Sequence, residues 1–243
     1  MGTTTVATRR LSPLHYKHLA LNATMREYDG WLRPEGYGAP AEVEAQKALH
    51  HVGLCDISPV KKLDIKGRNI DAFLEGVLSS KGFPRIPGEV SASPEMSDGP
   101  TYTCRLTKEH ALMIGRPRQQ EPVRSPLEAL GFPAADRCYL TSVTSTLAGL
   151  NIVGASSAPL LSELTQLDLS SHPERGQWCA EGGFAKVRSV VVRTGAASFD
   201  LFFGRDYAGY VWDELIHLGT KYSISPFGVA AYRLVHEQKE TTR

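Results

Sequence analysis

Twice along its 243 residues the chain passes from strand periodicity straight into helix periodicity, and this repeated hand-over restricts the folds open to it. Lys62–Lys66 alternates Leu63 and Ile65 against Asp64 and Lys66, the period of a strand with one buried and one wet face. Arg68–Leu78 follows at once, with Ile70, Phe73, Leu74, Val77 and Leu78 recurring at three- and four-residue steps, a helix stripe facing a core. Farther on, Val187–Arg193 and Phe199–Phe203 read as strands joined by a turn at Thr194–Ala197. Asp206 then has the form of a cap for a helix with the stripe Tyr210, Val211, Leu215 and Leu218. Strand pairs leading into helices predict a pseudo-repeated α+β fold with mixed sheets, not a doubly wound parallel sheet.

Local signals place the other elements. Ser12-Pro13 reads as an N-cap with proline at the first helical position, ahead of a short amphipathic helix through Leu14, His18 and Leu21. Pro40 opens a helix expected over Ala41–Val52, with Glu42 and Glu44 in its first turn, His50 and His51 in its last, and Gly53 just beyond. Leu54–Ile57 reads as a strand, and Thr101–Leu106 with Ala111–Ile114 as a hairpin. Residues 81–100 hold Pro84, Pro87, Pro94 and Pro100 and read as irregular, while Arg116–Pro133 reads as an exposed, mobile connection. Arg137–Val143 and Leu147–Val153 are strand candidates, and Gly154 precedes a helix expected from about 158 to 167.

Several functions find no support in the residues. Lys and Arg number 27 against 26 Asp and Glu, so no general field draws the chain to nucleic acid, and the aromatic residues have no interleaved basic stripe. No stretch approaches the about 20 apolar residues of a membrane span, and the N-terminus lacks a secretory apolar run, so a cytoplasmic protein without membrane contact is expected. Cys55, Cys104, Cys138 and Cys179 form no CxxC pair and read as reduced thiols, mostly buried. A neighbouring carboxylate makes Cys55-Asp56 a poor reactive thiol. His15, His18, His50 and His51 complete no ligand set, so no metal is expected. Gly154-Ala155-Ser156-Ser157-Ala158 sits where a phosphate loop or nucleophile elbow would, yet fits neither pattern and reads as a plain strand-to-helix turn.

Four blocks together point to a family. They are Ser12–Leu21 followed by Tyr28-Asp29-Gly30-Trp31-Leu32-Arg33-Pro34; Gly53–Ser58 through Lys62–Gly67 and Ala72–Leu74; Ser145–Leu164; and Phe199–Leu218 with Ser225–Gly228 and Arg233-Leu234. They resemble the glycine-cleavage T-protein, or aminomethyltransferase, family, to which the folate-binding half of sarcosine oxidase alpha subunits and the smaller gamma subunits also belong. The resemblance implies one folate-binding-fold unit of two intertwined lobes, about 1–60 plus 140–243 and about 61–139, without the family's C-terminal barrel domain.

Departures from the family pattern bear on activity. The family's orienting aspartate falls at Gly99 and Pro100 in the register set by Arg105-Leu106, with Asp98 close but out of step. Its pterin-holding glutamate falls at Ala196, and the tyrosine expected after Gly88 is replaced by Glu89. A pterin edge left unpaired in a buried site loses about 1–3 kcal/mol. The resemblance therefore implies a non-catalytic, gamma-like subunit of a sarcosine oxidase-type complex. Such a chain binds no cofactor alone, its flavin sits on partner subunits, and those partners belong to an amine oxidase or dehydrogenase. The alternative is a self-standing tetrahydrofolate-dependent aminomethyltransferase or demethylase. In that reading Asp98 is the orienting carboxylate, and Trp31, Tyr37, Tyr102 and Arg233 line the pterin pocket. A third reading, assistance in iron–sulfur maturation, lacks the cysteine-bearing motif of that branch.

Overall fold

A computed structural model describes residues 9–78, 82–93, 101–115, 138–169 and 176–241. Near the N-terminus, β1 (Arg10–Leu11), β2 (Thr24–Tyr28) and β3 (Trp31–Gly36) form a three-stranded sheet in the order β1-β3-β2. The hairpin between β2 and β3 turns on Asp29-Gly30, both with positive φ (51° and 75°), the left-handed pair that a tight two-residue turn requires. The helix α1 (His15–Ala20) lies between β1 and β2, and α2 (Ala41–His50) follows β3.

The central sheet has six strands. These are β4 (Val52–Asp56), β10 (Leu147–Val153), β11 (Trp178–Phe184), β12 (Val187–Gly195), β13 (Ser198–Gly204) and β14 (Ile224–Pro226), in the order β11-β12-β13-β10-β4-β14. A five-stranded sheet, β6-β7-β8-β5-β9, comes from β5 (Lys62–Gly67), β6 (Val90–Ser93), β7 (Thr101–Thr107), β8 (His110–Gly115) and β9 (Cys138–Ser142). Only β1–β3 and β4–β14 pair in parallel; every other described pairing is antiparallel. The helices α3 (Ile70–Leu78), α4 (Ser157–Ser162), α5 (Ala208–Gly219) and α6 (Val229–Thr241) complete the expected α+β architecture.

The pleat of the six-stranded sheet divides the core in two. Leu54, Leu150, Ile152, Leu201 and Phe203 point to one face, against Leu160 and Leu161 of α4 and Val211, Trp212 and Leu215 of α5. Cys55, Val153, Val192 and Phe202 point to the other, where Ala45 and Ala48 of α2, Ala231 and Val235 of α6, and Tyr102, Cys104, Leu112 and Ile114 of the five-stranded sheet meet them. The two sheets are stitched by the turn at Gly88. Gly88 N–H donates to Arg105 O (2.8 Å) of β7, and Cys179 N–H of β11 donates to Gly88 O (3.0 Å).

Three boundaries differ from the sequence expectation, each for a tertiary reason. The helix expected over Ala41–Val52 ends at His50, and Val52 already belongs to β4. Gly53 is required by close packing, since a Cβ there would stand 2.4 Å from the Ala48 Cβ and 2.7 Å from the Phe227 ring. The helix expected to reach residue 167 stops at Ser162, because Thr165 is drawn into a bridge with Phe184 and Leu167 packs beneath Gly182. Asp206 caps nothing: it sits in a 3-10 turn, Arg205–Tyr207, and α5 begins at Ala208. The connection read over 116–133 lies outside the described residues.

Candidate functional site

Two buried polar clusters flank β4. The first is built on Asp56, the last residue of that strand. Its carboxylate accepts from the Ser58 N–H (2.8 Å), the Ser12 hydroxyl and His18 Nε2 (2.9 Å). Because a carboxylate only accepts, His18 Nε2 is the donor, and Nδ1 shares a hydrogen bond with the Tyr37 hydroxyl 2.8 Å away. Burial pushes the Tyr37 phenol well above its ordinary pKa, with Cys55, Asp56 and Glu44 adding to the effect, so the proton stays on the oxygen. The relay Tyr37–His18–Asp56–Ser12 thus runs unbroken from the phenol to the Ser12 hydroxyl. Although burial alone would raise it, the Asp56 carboxyl is held down at about 2 by bonds from His18, Ser12 and Ser58 and the charge of His18. Ser12, expected as a helix N-cap, accepts from Leu14 N–H (3.1 Å) ahead of a helix that starts at His15, while its proton goes to Asp56.

The second cluster lies across the strands. In the ladder, Cys55 stands opposite Asn151, and Asn151 opposite Asp200, so the three side chains share the inner face of the sheet. Asn151 Nδ2 donates to Asp200 Oδ1 (2.5 Å), and the Tyr102 hydroxyl of β7 donates to Asp200 Oδ2 (2.5 Å). His236 of α6 brings Nε2 to 3.4 Å from Asn151 Oδ1. Both oxygens of Asp200 are therefore engaged by the protein itself.

Beside these clusters stands Lys62, expected on the wet face of β5 but 0% exposed. Its ammonium donates to Ser58 O (2.7 Å) and Val60 O (2.8 Å) and lies 5.9 Å from the Phe202 ring centre, holding the β4–β5 turn. Burial pulls its pKa down to about 7, with Arg33 pulling further and Asp56 opposing. The unfolded chain, with Lys62 near its ordinary 10.5, binds more protons than the folded chain between about 7 and 10.5. Folding stability contributed by this group therefore rises as pH is raised through that window. Chemical denaturation at pH 7 and pH 9.5 is expected to show the wild type gaining on Lys62→Met as pH rises; parallel pH dependences would contradict it.

The residues singled out in the sequence do not converge on one pocket. Trp31 is buried under the Arg10 guanidinium, 5.9 Å from the ring centre, and Tyr37 belongs to the His18 relay. Tyr102 is tied to Asp200, and Arg233 lies 5.0 Å over the Tyr28 ring at the β2–β3 hairpin. Asp98, Gly99 and Pro100 lie outside the described residues. Ala196 occupies an exposed turn, where its carbonyl accepts from Arg193 (3.3 Å). Glu89 caps the turn before it, accepting from the N–H groups of Arg85 (2.7 Å) and Ile86 (3.1 Å).

All four cysteines are free thiols, and Cys55, Cys104 and Cys179 are buried; burial pushes the Cys55 thiol far up. Among the described residues no group of three or more His, Cys, Asp or Glu is placed to hold a metal, and no helix is long and apolar enough to cross a membrane. The pairing of His18 with Asp56 and of Asn151 with Asp200 has no signal in the sequence because the partners stand 38 and 49 positions apart. Asp56 alone had a local signal, a carboxylate at a strand end two residues before a serine, the spacing of an Asx turn.

Mixed, mainly antiparallel sheets with polar clusters buried against their inner faces define the class: an α+β unit. Residues 14–240 match the family described as the GCVT N-terminal domain, and the chain belongs to that family. The aminomethyltransferase of Bacteroides thetaiotaomicron is 25% identical over 238 residues, covering 91% of this chain and 62% of its own length. That of Moorella thermoacetica is 27% identical over 236 residues, covering 93% and 63%. This chain thus spans under two thirds of the length of those relatives. Among solved structures, glycine cleavage system aminomethyltransferase T from Bartonella henselae superposes with a TM-score of 0.73 at 18% identity, covering 91% of this chain and 60% of that one. A chain of the heterotetrameric sarcosine oxidase from Corynebacterium sp. U-96, in complex with pyrrole 2-carboxylate, superposes with a TM-score of 0.61 at 16% identity, covering 89% and 97%.

Proposed function

We propose that this chain is a non-catalytic, gamma-like subunit of a heteromeric flavin- and folate-dependent amine-demethylating complex of the sarcosine oxidase type. The observation that supports it most is the lack of a carboxylate where the resemblance puts the pterin-holding one. Ala196 stands there in an exposed turn and offers only its backbone carbonyl, which accepts from Arg193. A pterin edge left unpaired in a buried site loses about 1–3 kcal/mol. The fit of the fold over 97% of one sarcosine oxidase chain agrees with this reading. In it, flavin and working folate sites belong to partner subunits.

The family relatives named aminomethyltransferase support a second reading, a folate-dependent transferase in which Asp98 serves as the orienting carboxylate. Calorimetric titration with tetrahydrofolate separates the two. The subunit reading expects no saturation at micromolar ligand and co-purification of the chain with flavoprotein products of neighbouring genes. Micromolar affinity that disappears in Asp98→Ala, with no stable partner, would establish the transferase instead.

A further inference from the structure

Cations remain over from both clusters. The Arg33 guanidinium, 3% exposed, makes a single hydrogen bond among the described residues, from NH2 to the Asp56 carbonyl (3.2 Å), and its Nε is buried without a partner. A guanidinium keeps its proton at any ordinary pH, so burial leaves it a permanent charge that is costly unless an anion lies against it. The Asp56 carboxylate is already filled by Ser12, His18 and Ser58. Among the described residues no carboxylate comes within ion-pair distance of Arg33, Lys62 or Arg233. These charges are gathered, not scattered. Burial first, and Arg33 with it, disfavours the Lys62 ammonium, and the carboxyl of Asp29, in the exposed β2–β3 turn, is raised by partial burial while Arg33, Lys61 and Arg233 together oppose that rise.

We propose that Arg33, with Lys62 beside it and Arg233 at the rim, forms a binding site for a small-molecule carboxylate, entered past the turn at Asp29. The guanidinium edge made by Nε and its neighbouring N–H is a planar fork that matches the two oxygens of a carboxylate. A tetrahedral phosphate would bring more bulk against a side chain that has almost no exposed surface. Asp29 carries negative charge near this place without reaching any of the three cations, so it competes with the ligand. The site requires neither a partner subunit nor a folate, so it stands or falls independently of the subunit reading.

Calorimetric titration of the full chain with acetate, against chloride at constant ionic strength and with inorganic phosphate as a second probe, tests the site. Saturable acetate binding is expected, weakened at least about tenfold in Arg33→Met, an apolar replacement of similar length that a core tolerates. Asp29→Asn keeps a residue suited to φ 51° before Gly30, and is expected to tighten acetate about threefold by removing the competing charge. No saturable acetate binding, undiminished binding in Arg33→Met, or preference for phosphate would overturn the proposal. If Arg33→Met loses cooperative melting, Asp29→Asn decides alone, and unchanged or weaker binding in it overturns the site.

Discussion

Gly154→Ala is expected to prevent folding. Gly154 follows β10 with φ 112°, a backbone conformation that an L side chain rarely adopts, and a Cβ built there would stand 2.1 Å from Ala48 O and 2.4 Å from His51 O. The approach is this close because the turn finishes α2. Ala155 N–H donates to Leu49 O (3.1 Å) and Ser156 N–H to His51 O (3.1 Å), satisfying carbonyls that the end of a helix leaves without partners. Gly154 N–H in turn donates to Ala197 O (3.0 Å), between β12 and β13. An added methyl therefore pushes apart α2, the β10 turn and the β12–β13 hairpin at one point. A loss above about 4 kcal/mol, the range of strain at a special φ combined with core overpacking, exceeds what many domains can bear. Insoluble expression, or loss of the cooperative thermal transition by circular dichroism, is the expected readout. Gly183→Ala serves as the control: its φ is not positive, no atom lies within 4 Å of the added carbon, and a change within about 1 kcal/mol is expected. Equal melting of Gly154→Ala and wild type would contradict the packing described.

This turn also shows what a sequence can and cannot disclose. Glycine followed by small residues after an apolar strand was readable as a plain strand-to-helix turn, and it is one; that its amides cap a helix about a hundred residues earlier was not readable, because that partner is set by the sheet order. The same division holds elsewhere. Lys62–Lys66, Val187–Arg193 and Phe199–Phe203 are strands because alternating or β-branched runs suit a pleated, partly buried surface, a local property. The β2–β3 hairpin was equally local, signalled by Asp29-Gly30, and went unread beside the helix signals on either side. Lys62 has no local signal of burial: alternation assigns it to the wet side, and only the carbonyls of Ser58 and Val60 make its interior position tolerable. Tyr37 and Tyr102 were singled out as aromatic pocket residues, yet each uses its hydroxyl on a buried partner, His18 or Asp200, which stands 19 or 98 positions away. Polar clusters assembled by topology are legible only as residue types whose partners have not yet been named.

Asp56→Ala is expected to destabilise the chain by about 3–5 kcal/mol, the cost of removing one member of a buried charged network. The loss is large because three donors were aimed at one carboxylate: the Ser12 hydroxyl, His18 Nε2 and the Ser58 N–H would all be left facing a methyl group in a place that excludes water. His18, 0% exposed and edge-on to Trp212 at 5.4 Å between ring centres, has no room to turn toward solvent, so its ring would remain buried with one nitrogen unpaired. The pH dependence separates this from ordinary cavity formation. The folded-state pKa of Asp56 is held at about 2, below its ordinary 3.8, so the network stabilises the fold fully above about 4 and its contribution fades as pH falls from there toward 2. Over that interval the linkage amounts to about 2 kcal/mol, from about 1.4 kcal/mol per pKa unit. Denaturant unfolding at pH 6 and pH 3 should therefore show the gap between wild type and Asp56→Ala narrowing at the lower pH, with Asp56→Asn, which retains the shape and loses the charge, falling between the two at pH 6. A gap of equal size at both values would assign the loss to packing alone and remove the charge of Asp56 from the account of this fold.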